Sequence, residues 1–234
     1  MSYILGLDPS LKKTGYSVFN LSKSDTEVED KGMLKTNTTD GILVLRLIKQ
    51  TQQVKDLILR YNIKFIGAEA PFFGSFSTEM LFALNQFLHS MYLDMGVYVV
   101  YFPPQQLKKL VFPDQVVSDI HKSHMIDQAK TVLGLHGHRL AEDVADAYWA
   151  GYFGKKFYKR FIENTLTDED LSEYELSVFS GTHTFTRGEK KGITEYSGII
   201  YRENECFYDF KKIKENFNGL CKKGSEDKKE EGDF

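Results

Sequence analysis

The chain has little cysteine, no long apolar run and no excess of positive charge. Two cysteines in 234 residues, Cys206 and Cys221, lie late in the chain without a CxxC spacing. They point to free thiols in a reducing compartment rather than to a disulfide framework. His121, His124, His136 and His138 have no cysteines beside them in zinc-finger spacing, which argues against zinc. No window approaches the ~20 apolar residues of a membrane span. The amino terminus lacks the basic and apolar regions of a signal peptide. A cytoplasmic protein with no membrane partner is therefore expected. The formal net charge of −3 speaks, taken as a sum, against a nucleic-acid binder.

The distribution of charge matters more than the sum. Residues 1–100 are neutral, residues 101–160 carry a net +3, and residues 161–234 carry a net −6. The middle of the chain is thus locally basic although it contains three acids within five residues, Glu142, Asp143 and Asp146. With 41% hydrophobic and 14% aromatic residues the composition is that of a folded globular protein.

Hydrophobic patterning predicts an α/β fold. Runs at 3–8, 15–20 and 28–34 read as three antiparallel strands. Leu43, Leu47, Val54, Leu57 and Ile58 share helical spacing, predicting an amphipathic helix over 42–61. A strand at 63–69, a loop at 70–76 and a helix at 77–94 follow. An apolar, β-branched run at 96–102 reads as a buried strand ended by Pro103 and Pro104. Helices are expected at 104–111, 118–133 and 141–162. This order predicts a mixed sheet with an antiparallel edge and helices on both faces.

Residues 165–175 are acidic and read as a boundary or a solvated helix. β-prone runs at 182–187, 192–202 and 206–210 suggest a small β-rich appendage, with a last helix at 210–220. The expected division is a first domain at 1–164, an extension at 165–220 and a charged, disordered tail at 221–234.

Four acids stand where chemistry could use them. Asp8 ends the first strand, at the edge where open α/β sheets bind ligands. Glu69 ends the strand at 63–69. Asp143 and Asp146 are three apart at the start of a helix, hence on one face. Brought together, these oxygens would suit a hard cation such as magnesium or manganese. Left apart, they are ordinary turn and helix caps. Spacing alone does not choose.

The chain order strand-Asp, strand-Glu, helix-Asp-x-x-Asp resembles the RuvC family of Holliday junction resolvases, within the RNase H-like fold. The likeness rests on Gly6-Leu-Asp8-Pro9 with Thr14-Gly15-Tyr16, on Glu69, and on Asp143-Val-Ala-Asp146, and it spans residues 1 to about 160. It is nearest to the divergent RuvC-like enzymes of bacteriophages. The resemblance implies an RNase H-like mixed sheet of five strands, three antiparallel plus parallel ones. It also implies a magnesium-dependent endonuclease, with manganese as substitute. Two ions per site would be held by Asp8, Glu69, Asp143 and Asp146. The implied substrate is branched DNA, above all the four-way junction, nicked on paired strands by a homodimer that uses the helix at 77–94.

Further residues match family positions. Phe72 and Phe73 follow Glu69 as an aromatic pair that would stack on bases, unless they are core phenylalanines. Lys122 and Lys108 match lysines that touch phosphate, Lys122 as a catalytic cation and Lys108 as a DNA contact. Lys155, Lys156, Lys159 and Arg160 form a basic strip read as a backbone-phosphate contact. Ser10 stands where the family often has glycine, and residues 165–234 have no counterpart in the bacterial enzymes. A broader branched-DNA or flap endonuclease with the same chemistry is the alternative. An actin-like ATPase, suggested by the Gly-x-Asp strand, is a third reading; its only candidate second phosphate turn is Gly181-Thr-His-Thr.

Overall fold

The computed structural model describes residues 2–70, 78–179 and four short segments at 182–184, 194–196, 199–202 and 205–207. The strands β1 (Tyr3–Asp8), β2 (Lys13–Asn20) and β3 (Val28–Lys35) form an antiparallel meander. The helix α1 (Leu43–Tyr61) leads into β4 (Ile63–Glu69), which pairs parallel to β1. The helix α2 (Thr78–Asp94) leads into β5 (Tyr98–Phe102), parallel to β4. Then come α3 (Pro104–Val111), α4 (Lys122–Val132), α5 (Glu142–Phe161) and α6 (Glu173–Phe179). The sheet order is β3-β2-β1-β4-β5, the mixed five-stranded arrangement expected.

Late strands extend this sheet. The segments β6 (Thr182–Thr184) and β7 (Thr194–Tyr196) pair with each other. Next, β8 (Ile199–Arg202) pairs antiparallel to β5, and β9 (Glu205–Phe207) pairs with β8. The acidic stretch after residue 165 is not merely solvated, because Leu171, Val178 and Phe179 are buried in the main core. The helix and tail expected beyond residue 208 lie outside the described residues.

The central strands β1 and β4 are apolar on both faces because helices cover both. On one face Leu47, Val54, Leu57 and Ile58 of α1 pack with Leu84, Leu88 and Met91 of α2 over Leu5, Leu7 and Ile66. On the other, α5 lies across β1, β2 and β4, backed by α3, α4 and α6. The α1 helix stops at Asn62, whose left-handed φ of 48° lets its N–H reach the Ile58 and Leu59 carbonyls. No helix among the described residues is long and apolar enough to cross a membrane.

The close seat of α5 is what places the site. Gly6 and Gly151 face each other so tightly that a Cβ on Gly6 would lie 2.1 Å from the Ala147 carbonyl oxygen. The Ser17 hydroxyl donates to that same carbonyl at 2.8 Å. On β2, a Cβ on Gly15 would lie 1.8 Å from the carbonyl oxygen of Asp143. Gly15 is the register partner of Asp8. The first turn of α5 is thereby laid over the end of β1.

Candidate active site

Strand register brings the first two acids together. Leu7 pairs with Ala68 in the parallel β1–β4 ladder, so Asp8 and Glu69 leave the same sheet edge side by side. Asp146 descends from α5 onto that edge. Each of the three offers a carboxylate oxygen, and these oxygens all lie within 4.8 Å of one another. Among the described residues no other group of three or more His, Cys, Asp or Glu side chains meets in this way. Asp143 stands outside that trio but close enough for its charge to act on Asp8 and Asp146.

Crowding makes the ionised forms costly. Burial, then the charges of Glu69, Asp146 and Asp143, hold the Asp8 carboxyl well above the usual carboxylate range. Burial and the Asp146 charge push Glu69 up to about 8. Burial and the Glu142 charge push Asp146 up to about 6. Asp143 is raised as well, by burial and by Glu142. Half-buried carboxylates stacked in this manner either share protons or take up a cation. The donors are all hard oxygens from three different elements, which fits a magnesium-like ion rather than zinc.

Lysines ring the cluster. Lys122, the first residue of α4, is ion-paired with Glu142, and its charge reaches Asp8, Glu69 and Asp146. Lys108 on α3 donates to the Ile120 carbonyl at 2.8 Å, and its charge reaches Glu69 and Asp146. Both lysines therefore stand at the acid cluster. The expected aromatic pair, Phe72 and Phe73, lies outside the described residues.

The basic strip on α5 is corrected at Lys155. Lys155 is fully buried, and its ammonium donates to the backbone carbonyls of Asn20, Lys23 and Ser24 at 2.8, 3.0 and 2.9 Å. It closes the β2–β3 turn against α5 and cannot touch a phosphate. Lys156 is ion-paired with Glu175, Lys159 with Asp25 at 2.6 Å, and Arg160 with Asp168 at 2.6 Å. Those three therefore carry acidic partners in the DNA-free protein. Glu142, in turn, was not among the expected site residues. Its signal was available, since it sits one position before Asp143 in a basic stretch.

The family model described as "Crossover junction endodeoxyribonuclease RuvC" matches residues 4–150. The chain belongs to the RuvC family. The RuvC of Prochlorococcus marinus (strain MIT 9303) is 29% identical over 147 residues, 62% of this chain and 92% of that protein. That of Orientia tsutsugamushi (strain Boryong) is 29% identical over 153 residues, 64% of this chain and 92% of that protein. Among solved structures, Thermus thermophilus RuvC matches with a TM-score of 0.56 at 18% identity, covering 68% of this chain and 95% of that one. T. thermophilus RuvC in complex with Holliday junction substrate matches with a TM-score of 0.55 at 18% identity, covering 68% and 96%. The fold is RNase H-like, as RuvC's is. RuvC membership also removes the actin-like ATPase reading of the first strand motif.

Proposed function

We propose that this RuvC-family protein is a magnesium-dependent endodeoxyribonuclease that resolves four-way DNA junctions by nicking paired strands as a homodimer. The observation that carries the reading is the meeting of Asp8, Glu69 and Asp146 oxygens within 4.8 Å at the sheet edge. Those three, with Asp143, would hold two magnesium ions, with manganese as substitute. Such ions supply an activated water and charge compensation at the leaving 3′ oxygen. Water adds at phosphorus and the P–O3′ bond breaks.

The chain's own groups prepare that step. Asp8, Glu69 and Asp146 come from rigid elements, so their spacing does not depend on a loop. Lys122 would meet the charge that develops on the scissile phosphate. Lys108, tethered to the Ile120 carbonyl, would hold a neighbouring phosphate. Phe72 and Phe73 would stack on an unpaired base at the branch. Residues 1–164 would constitute the nuclease domain, with 165–220 as its extension and 221–234 as a tail.

The dimer reading is supported by the face of α1 and α2 that the core does not use. Ile42, just before α1, Val44, Leu45 and Ile48 of α1, and Met80, Phe82 and Phe87 of α2 are exposed. A groove of about 520 Å³ between the helices is lined by Ile48, Phe87, Met91 and Met95, with Lys55 and Asp94 also in its wall. Those opposite charges are complementary to a second copy of the same face across a two-fold axis.

Asp8→Asn tests the reading on a synthetic four-way junction. Magnesium-dependent nicking is lost while junction binding persists; nicking that survives refutes the metal-ligand role of Asp8. Junction, flap and linear duplex assayed side by side separate the strict resolvase from a broader branched-DNA nuclease. Equal rates on linear duplex would sink the junction claim.

A further inference from the structure

Glu142 is a fifth carboxylate at the site, and the metal cluster does not need it. It opens α5, and its carboxylate is turned to the Lys122 ammonium at the start of α4 rather than to Asp8, Glu69 or Asp146. Its negative charge is nevertheless felt by Glu69, Asp143 and Asp146. Three lysines carry charge to the cluster: Lys122 is exposed and paired with Glu142, Lys108 is tethered to the Ile120 carbonyl, and the exposed Lys13 on β2 acts on Asp143 alone. An approaching phosphate therefore meets a neutralised Lys122 and the field of a carboxylate beside it.

We propose that Glu142 is an electrostatic gate: it occupies Lys122 in the DNA-free protein and so suppresses binding of ordinary duplex. The inference rests on the nuclease reading above and adds to it a determinant of substrate discrimination. The pair is built to open. The Lys122 side chain is 70% exposed and that of Glu142 is 40% exposed. Ion pairs so wet contribute little net stability, so a well-placed phosphate displaces the carboxylate at small cost. A junction strand held at the acid cluster puts a phosphate within reach of Lys122. A duplex lying across the surface lacks that anchorage at the acid cluster, so its phosphates do not displace Glu142 from Lys122. Glu142 acts through Lys122 and touches no reacting atom, which makes it a positioning residue.

The test is Glu142→Gln in the whole 234-residue chain, alone and combined with Lys122→Ala, with Glu142→Asp as the conservative variant. Fluorescence anisotropy with linear duplex over a salt series reads affinity and its slope. Freeing one lysine for a phosphate tightens duplex binding about threefold to tenfold and steepens the slope of log K against log salt by about 0.9. In junction nicking the change falls on KM rather than kcat, and junction-over-duplex preference declines. In the Lys122→Ala background the gain disappears, and Glu142→Asp behaves as the parent. Duplex binding and slope unchanged in Glu142→Gln would overturn the gate, as would a gain that persists without Lys122. A fall in kcat at constant KM would also overturn it. A parent protein that nicks no junction defeats the nuclease reading instead, while the duplex series still reports on the gate.

Discussion

Replacing Asp146 by Asn should stabilise the metal-free protein while destroying its site. Burial and neighbouring charge push Asp146 from 3.8 up to about 6. Ionising it in the folded state is therefore costlier than in the unfolded chain by about 3 kcal/mol at high pH. Asparagine keeps the shape and removes that cost. It also forfeits a favourable charge near the α5 N-terminus, about 0.3–1 kcal/mol, and solvent at this half-buried position screens part of the rest. A net gain of about 1–2 kcal/mol remains, or roughly 2–8 °C in Tm for a chain of this size. Because the folded pKa lies above the unfolded one, the folded state binds more protons between about pH 4 and 6. The parent consequently loses stability as pH rises through that window. The advantage of the variant is full above about pH 7 and vanishes near pH 4. Scanning calorimetry in EDTA at about pH 8 and about pH 4.5 measures both limits. Magnesium should reverse the order at high pH, since the parent binds it more tightly and gains more by mass action. A lower Tm for the variant in EDTA at high pH, or an equal gain at both pH values, would refute carboxylate crowding.

Lys155→Met should cost about 1–3 kcal/mol in urea unfolding, because the buried Asn20 carbonyl and the part-buried Lys23 and Ser24 carbonyls lose their charged donor. The same variant should leave the salt slope of DNA binding unchanged, which a phosphate contact would not. Gly151→Ala puts a methyl 2.4 Å from a Phe19 ring carbon and 2.7 Å from the Gly6 Cα, costing about 1–3 kcal/mol. Lifting α5 moves Asp146 as well, so nicking should fall by more than the folded fraction does. Phe179→Ala should lose about 3–5 kcal/mol if α6 belongs to the main core, and near zero if it is peripheral.

Much of the fold was legible because its signals are local. The period of α1 is written in Leu47, Val54, Leu57 and Ile58, all of which the core buries. The strands end where Asp8 and Glu69 end them, and α5 begins within one residue of its expected start. Burial of α6 was not legible, because an acidic helix start says nothing about what Val178 and Phe179 meet.

By itself the sequence determined which acids were available and in what chain order, and the family's motif made them worth assembling. Only the tertiary structure decided how they meet. Helical spacing treats Asp143 and Asp146 alike, yet Asp146 alone joins Asp8 and Glu69 in the tight trio. That outcome depends on how closely α5 seats on Gly6 and Gly15, a contact across more than 120 residues. The lysines divide for the same reason. Lys122 and Lys155 look alike in a chain of letters, but one is an exposed partner of Glu142 and the other a buried clamp on a distant turn. Charge is a property of the residue; what a charge faces is a property of the fold.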